Sequence, residues 1–295
     1  MRRVLVTGAN KGIGLAIVTA ILEEHDDTFA FLGSRDPGRG QAACEGLVAA
    51  HPAWSDRLEV LELDVSSDAS VGAAAERVRA AVGDEATPLY GIVNNAGIGL
   101  GAHDLRAMLE VNTLGVRRVC ESFLPLLCPS GGRIVNITSA SGPNFVHECS
   151  DERQRFFVDP AVTWPQIQAL LDECLALEGA EAFAAKGLGR GNAYGLSKAC
   201  ANSYTMLLAR EHPNLRINAC TPGFIETDLT RPYAQSSGKT PQDMGMKSPA
   251  EGARAPLALL FGELEGNGRY YGSDAKRSPL DRYRAPGSEP YTGEP

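Results

Sequence analysis

Val4-Leu5-Val6-Thr7-Gly8-Ala9-Asn10-Lys11-Gly12-Ile13-Gly14 opens the chain, and its reading decides the fold. Val4–Thr7 is apolar and β-branched, as a short buried strand requires, and it runs into a glycine turn spaced G-x-x-x-G-x-G. Beyond the turn, Ile13, Ile17, Val18 and Ile21 recur on one face of a helix expected over Ile13–Glu24. A helix entered through such a turn presents unpaired N–H groups and the positive end of its dipole to whatever lies in front of it, and both suit a phosphate. Gly8, Asn10, Lys11, Gly12, Ile13 and Gly14 are therefore candidates to cradle a pyrophosphate. Taken alone, such a loop can also be a plain glycine turn, and its spacing departs from the commoner G-x-G-x-x-G.

Outward from this stretch the same rhythm repeats. Strand patterns at Thr28–Gly33, Leu58–Leu63, Gly91–Asn94 and Arg133–Thr138 alternate with helical patterns at Gln41–His51, Val71–Val82 and Leu105–Leu127. That alternation predicts a parallel sheet with helices on both faces. A second block follows: a long helix over Ala193–His212, an apolar strand over Leu215–Thr221 and a late edge strand over Arg269–Gly272. Between the blocks, residues 142–192 break the rhythm. Thr163 as N-cap, Pro165 in the first turn, Gln166 three residues after the cap and Gly179 as a stop mark one helix there, with Ile167, Leu170, Leu171, Cys174 and Leu175 on a single stripe. A one-striped helix needs a surface to cover, so the segment reads as an insertion packed on the parent domain. The domain is expected over 1–280, followed by an irregular, partly mobile tail over 281–295 rich in proline, glycine and charge.

The 295 residues carry a net charge of −8, which disfavours nucleic acid or an anionic membrane as partner. Seven cysteines, odd in number, scattered and without a C-x-x-C pair, argue against a disulfide framework or a zinc site and suit free thiols in a reducing compartment. No metal site is read, and none of the histidines at 25, 51, 103, 147 and 212 is assigned to chemistry, although His147 lies near the mouth of the site. No apolar run reaches the roughly 18 residues of a membrane span, and the amino terminus lacks the pattern of a signal peptide, so a cytoplasmic protein is expected.

The second strand ends Leu32-Gly33-Ser34-Arg35-Asp36. An acid at the strand end would bind ribose hydroxyls and repel a 2′-phosphate, whereas Arg35 can fork onto that phosphate. NADPH (or NADP+) is therefore expected over NADH, with Lys11 as a second cation and Asp36 pointing elsewhere. Further on, Tyr194 and Lys198 stand four apart, so a helix turns both to one side. A lysine one turn from a phenol favours the phenolate and lowers its titration point. Alone, Y-x-x-x-K is common on surface helices.

Taken with Thr7–Gly14, five further motifs resemble, in order, those of the short-chain dehydrogenase/reductase family: Asn94-Asn95-Ala96-Gly97, Asn112 in Val111–Gly115, Ser139 after Ile134–Thr138, Tyr194-x-x-x-Lys198 and Pro222-Gly223-x-x-x-Thr227. Asp64-Val65 is similar to the family's adenine-contacting pair, though a simple turn aspartate reads almost as well. The resemblance implies a single Rossmann-type α/β domain. It implies catalysis by Asn112, Ser139, Tyr194 and Lys198, with Thr138 as a neighbouring alternative to Ser139. It also implies a cofactor floor formed by Asn94, Ala96 and Gly97, cofactor contacts from Tyr194 and from Lys198, which can hold the nicotinamide ribose hydroxyls, and nicotinamide contacts from Pro222, Gly223 and Thr227. Ser139 and Tyr194 stand 55 positions apart (194 − 139), a longer gap than most of the family has. That gap resembles the monomeric carbonyl reductase branch and plant menthone and salutaridine reductases, in which the inserted helix covers the surface used elsewhere for dimerisation. The resemblance therefore implies a monomer that reduces a small ketone, aldehyde or quinone. A dedicated reductase of secondary metabolism is the alternative, and a silent NADPH-binding scaffold a remote one. Trp164, Phe156 and Phe157 read as anchors of the insertion more than as pocket lining.

Overall fold

The apolar, β-branched runs form strands, and because each is followed by a helix the chain must cross over and return in the same direction. The computed structural model describes residues 1–83, 89–99, 104–264 and 266–293. His103 and the last two residues of the 281–295 segment lie outside them. In order the chain forms β1 (Arg2–Val6), α1 (Gly12–Glu24), β2 (Thr28–Ser34), α2 (Pro37–Ala50), β3 (Leu58–Glu62), α3 (Asp68–Ala81) and β4 (Leu89–Asn94). Next come α4 (Leu105–Leu109), α5 (Gly115–Phe123) and β5 (Arg133–Ile137). The insertion holds α6 (Ser141–His147), α7 (Asp151–Val158), α8 (Trp164–Leu175) and α9 (Gly179–Ala185). The chain then adds α10 (Ala193–Glu211), β6 (Arg216–Cys220), α11 (Arg231–Ser236), α12 (Pro249–Phe261), β7 (Tyr270–Tyr271) and β8 (Arg277–Ser278).

These strands make one 8-stranded sheet in the order β3-β2-β1-β4-β5-β6-β7-β8, parallel throughout except for antiparallel β8. Strand order reverses between β1 and β4, which opens a crevice at their carboxyl ends. Alternation along β1 feeds two cores. Leu5 joins Phe31, Val119 and Phe123 on the face of α3, α5 and α10, while Val4 and Val6 join Ile17, Ile21 and Leu260 on the face of α1 and α12.

Several boundaries and elements differ from expectation. Helix α2 starts at Pro37 because the Asp36 carboxylate accepts from Arg39 N at 3.0 Å and Pro37 fits the first turn. The Leu105–Leu127 pattern is interrupted by a π-helical turn over Glu110–Leu114 between α4 and α5. Gly179 does not stop α8, which ends at Leu175; with φ +77 it leads into α9. The insertion has four helices, not one. Its α7 is capped by Ser150, whose hydroxyl accepts from Arg153 N, and carries Asp151 and Glu152 in its first turn. The late strand is not the edge, because β8 pairs outside it. Helix α12, which was not expected, begins with a reciprocal cap in which Glu251 accepts from Ser248 N at 2.9 Å.

The carboxyl-terminal segment is irregular but fastened. Arg284 bonds Asp274 at 2.5 Å and Ser278 Oγ at 3.0 Å, Gly287 N donates to Asp274 Oδ2 at 2.9 Å, and Tyr291 N donates to Arg277 O at 3.0 Å.

Candidate active site

The crevice at the strand reversal is a cleft of about 710 Å³. Its floor is built by two turns pressed together. Thr7 Oγ1 accepts from Asn95 N at 3.0 Å and Ala96 N at 2.9 Å, and Asn95 Nδ2 donates back to Thr7 O and Gly8 O. Glycine is needed for that approach. A Cβ at Gly14 would lie 2.4 Å from Asn95 Nδ2, and one at Gly8 (φ +62) would lie 2.8 Å from Ala96 Cα. The six glycine-loop residues singled out above line the cleft, as do Arg35, Asp64, Val65, Ala96, Gly97 and Thr227.

Five expected cofactor residues lie outside the cleft lining: Asn94, Pro222 and Gly223, and also Tyr194 and Lys198, which are described below. Asn94, the last residue of β4, is buried beneath the floor and donates to Asn136 Oδ1 at 2.9 Å and to the Cys120 sulfur at 3.3 Å. Its neighbour Asn95 faces the cleft, and strand alternation was the available signal. Pro222 is buried outside the cleft lining, and Gly223 opens onto a second cavity.

The cations at the mouth divide by role. Arg35 is exposed on the cleft and has no ion-pair partner among the described residues. Arg39, overlooked as a site residue in the sequence, lines the same mouth, and its Nε lies 3.3 Å from Asp36. Asp36 thus turns towards Arg39 and the α2 cap, not towards Arg35. Lys11 is engaged: its ammonium sits 2.6 Å from Asp228, and this contact holds the Asp228 carboxyl below the usual carboxylate range. Asp64 lines the cleft and is also a turn aspartate, accepting from Ser66 N at 2.9 Å and Ser66 Oγ at 2.6 Å.

Tyr194 and Lys198 occupy the first turns of α10, where Asn192 Oδ1 accepts from Gly195 N at 2.9 Å and fixes the start. The Lys198 ammonium is buried, lies 5.7 Å from the Tyr194 ring centroid and donates to Ile137 O at 3.1 Å. Burial brings its titration down to about 8. Burial also pushes the Tyr194 phenol above its ordinary value, opposed by its hydrogen bond with Ser139. The lowering expected from Lys198 does not appear here: burial is the largest influence on the phenol, and Ser139 is what opposes it. Ser139 is half-buried at the end of β5, whereas Thr138 points into the sheet towards Cys220 O at 3.4 Å, so Ser139 is the available hydroxyl.

Asn112 is fully buried in the π turn. Its Oδ1 accepts from Ile98 N at 2.9 Å, and its Nδ2 donates to Ile98 O at 2.9 Å and to Ser197 Oγ at 3.0 Å. Ser197 Oγ in turn donates to Tyr194 O at 2.8 Å. The Asn112 side chain thus ties the cleft floor to the turn that carries the phenol. Its Oδ1 and the Lys198 ammonium converge beneath Gly97, where an added Cβ would meet them at 3.2 and 3.4 Å.

A second cavity of about 330 Å³ opens from Ser139. Phe224 walls one side; the carboxyl-terminal Arg282 and Tyr283 wall another. Nothing local in the sequence marked these tail residues. The insertion's aromatics anchor it instead. Phe157 is buried against Phe145 with ring centroids at 5.7 Å, and Trp164 stands edge-on to Tyr204 at 5.8 Å with the Arg117 guanidinium 4.0 Å over its ring. Among the described residues no helix is long and apolar enough to cross a membrane, and no cluster of His, Cys, Asp or Glu could hold a metal ion.

A doubly wound parallel sheet with a glycine-loop cleft and a Ser-Tyr-Lys group at its edge defines a dinucleotide-fold oxidoreductase. The chain belongs to the short chain dehydrogenase family, whose model matches residues 2–150. It is 31% identical over 290 residues to carbonyl reductase (NADPH) 1 of Mus musculus, covering 93% of this chain and 97% of the mouse protein. Its fold resembles salutaridine reductase from Papaver somniferum, with a TM-score of 0.75 at 24% identity over 92% of this chain and 99% of that one. It also resembles NADPH-bound carbonyl reductase from chicken fatty liver, with a TM-score of 0.65 at 25% identity over 94% of this chain and 98% of that one.

Proposed function

We propose that the protein is an NADPH-dependent carbonyl reductase that converts a ketone, aldehyde or quinone carbonyl, with NADPH and a proton, into the alcohol and NADP+. The observation that carries this reading is the Tyr194 phenol set against Ser139, which opens the second cavity, with the Lys198 ammonium 5.7 Å from the phenol's ring centroid and lying beneath Gly97 of the large cleft. The large cleft fits a dinucleotide: its glycines let backbone approach closely, and the first turn of α1 faces it. The glycine loop would hold the pyrophosphate, Arg35 and Arg39 the 2′-phosphate, Asp64 and Val65 the adenine, and Thr227 the nicotinamide end. NADPH when bound supplies the hydride.

The chain's own groups handle the oxygen and the proton. Ser139 donates a hydrogen bond to the carbonyl oxygen as negative charge develops there, and Tyr194 hands over its proton. Burial keeps the phenol protonated at neutral pH, the form a donor needs. Lys198, titrating at about 8, is close enough to neutral to pass a proton back to the phenol. Asn112 holds the Tyr194 turn in place through Ser197.

A cofactor-oxidation assay, NADPH against NADH over a varied carbonyl panel, tests the reading. NADPH-linked turnover is expected, and one substrate far ahead of the rest would make the enzyme a dedicated reductase. Tight NADPH binding with no turnover across the panel would sink the reading in favour of a scaffold.

The chain is also read as a monomer, because α6, α7 and α8 pack on α10 and cover a face that an unembellished sheet-and-helix domain would leave open. Light scattering coupled to gel filtration should return a mass near 31.3 kDa. A cytoplasmic, reducing compartment fits the seven free cysteines, of which burial pushes Cys120, Cys149 and Cys174 up to about 12.

A further inference from the structure

The large cleft and the smaller cavity that opens from Ser139 differ in electrostatic character. The large cleft mixes cations with carboxylates: Asp36, Asp64, Glu226 and Asp228 stand among its arginines and Lys11. Among the described residues, the smaller cavity is lined by Lys247, Arg282 and Arg284 and by no aspartate or glutamate, in a chain whose net charge is −8. Arg284 is spent on the fold, only 7% exposed and paired with Asp274. The other two face solvent at the cavity. Lys247 is fixed at the backbone, where its N–H donates to Phe224 O at 2.8 Å, while its ammonium has no ion-pair partner among the described residues. Glu251, the carboxylate that feels it, is engaged by the backbone and hydroxyl of Ser248. Arg282 lies 5.2 Å from the Tyr291 ring centroid and bonds both carboxylate oxygens of its half-buried neighbour Asp281, at 2.9 and 3.0 Å, through a single nitrogen that leaves its other N–H groups free to meet an anion.

The apolar surface converges on the same place. Of the four large hydrophobic side chains exposed among the described residues, Phe224 and Tyr283 line this cavity, and Tyr233 lies close enough to Tyr194 to be felt by its phenol. A cavity with Ser139 at one end, aromatic walls and a rim carrying the unpaired Lys247 ammonium beside the Arg282 guanidinium recognises a particular chemical class.

We propose that Lys247 and Arg282 bind an anionic substituent of the substrate, so that the preferred carbonyl compounds are aromatic or apolar and carry a carboxylate or a comparable anion remote from the carbonyl. This rests on the reductase reading and narrows its substrate class. The anion adds binding energy without touching the reacting atoms, so it raises kcat/KM chiefly through KM.

The test compares para-acetylbenzoate with its methyl ester as substrates and uses para-isopropylbenzoate, which has no ketone, as a binding probe. Wild-type enzyme should reduce the acid with kcat/KM about tenfold above the ester, and the advantage should shrink as salt rises. The double variant Lys247→Gln, Arg282→Gln should lose roughly tenfold for the acid, in KM, and leave the ester unchanged within about twofold. It should also bind para-isopropylbenzoate about tenfold more weakly in a calorimetric titration. Equal kcat/KM for acid and ester, or a double variant that changes both alike, would overturn the anion site while leaving the reductase standing. No turnover of either ketone, with the probe bound by wild type and lost in the double variant, would overturn the reductase reading and sustain the anion site. A probe that binds wild type and variant equally would remove the site whatever the turnover.

Discussion

The cofactor cleft and the cavity beside Ser139 have no lining residue in common and are assembled on different principles. The cleft floor is built from turns that directly follow strands, namely the glycine loop after β1, Arg35 after β2, Asp64 after β3 and Asn95 to Gly97 after β4, and residues from Glu226 to Pro232 beyond β6 close it on the far side. Each turn is short, each strand is pinned in register by its neighbours, and the groups therefore arrive at one crevice by sheet geometry alone. The cavity draws on Ser139 after β5, Phe224 beyond β6, Lys247 before α12 and Arg282 past β8, brought together by contacts between loops. The first region should tolerate little variation in backbone and is rigid by construction. The second is held by side chains such as Arg284 and can change its chemistry without disturbing the sheet.

If the two regions meet at one reacting oxygen, removing the shared donor should be the most damaging change. Tyr194→Phe should lower kcat by on the order of a thousandfold with NADPH binding changed by less than about twofold, because the ring still fills its place and only the proton is lost. Fluorescence titration of NADPH alongside turnover checks both halves. A variant that still turned over at near wild-type rate would separate the phenol from the chemistry. Within the cleft alone, Arg35→Asp should swing the ratio of kcat/KM for NADPH to that for NADH towards NADH by roughly a hundredfold, since a fork for the phosphate becomes a repulsive charge. Arg39 would cushion the change, and an unmoved ratio would transfer the phosphate to Arg39 or remove it from this mouth.

Lys198 marks the cost of the arrangement in stability. Its folded titration is depressed to about 8 from the ordinary lysine value of 10.5, so the unfolded chain holds that proton more tightly than the folded one. Between those values the unfolded state carries more protons, and stability from this group rises with pH; below about 8 the full penalty is present. Lys198→Met should therefore stabilise the ligand-free protein at neutral pH by up to about 3 kcal/mol while abolishing turnover. The gain should shrink as pH is raised from 8 towards 10.5, which thermal melts of both proteins across that window would show. A constant difference would mean that the ammonium is better solvated than its burial indicates.

What could be read from the sequence follows the same division. The glycine loop, Tyr194 with Lys198, and Ser139 at a strand end were legible because each is a local pattern whose period fixes its direction: one turn of helix or one alternation of strand. Asn112 was legible as a position but not as a geometry, because nothing in Val111–Gly115 announces a π turn. That turn accompanies bonds from Asn112 to Ile98 and Ser197 and from Thr113 Oγ1 to Ser197 O at 2.9 Å. Lys11 appeared free because its partner Asp228 lies 217 residues away. In the insertion, α6 and α7 escaped notice because seven and eight residues are too few for a periodic stripe, although Ser150-Asp151-Glu152 carried a readable cap. The 281–293 segment gave only composition, and composition says nothing of Arg284 finding Asp274.

That last contact sets the smallest and most local expectation. Asp274 is raised by burial but lowered more by hydrogen bonds from Gly287 N and Lys276 N and by Arg284, so its net titration lies below the ordinary 3.8. Its contribution to stability is present above that value and is lost as pH falls through the depressed one. Arg284→Met removes a donor that is 7% exposed and leaves Asp274, at 19%, with its backbone partners only. The expected loss is about 1–2 kcal/mol, small because two backbone bonds remain. The loss should be confined to one region: KM for the carbonyl substrate should rise severalfold as Arg282 and Tyr283 lose their backing, while the affinity for NADPH stays fixed, because no described residue beyond Pro249 lines the cofactor cleft. Equal weakening of both ligands would show that the carboxyl-terminal segment supports the sheet as a whole, and that the two cavities are not the separable structures their construction implies.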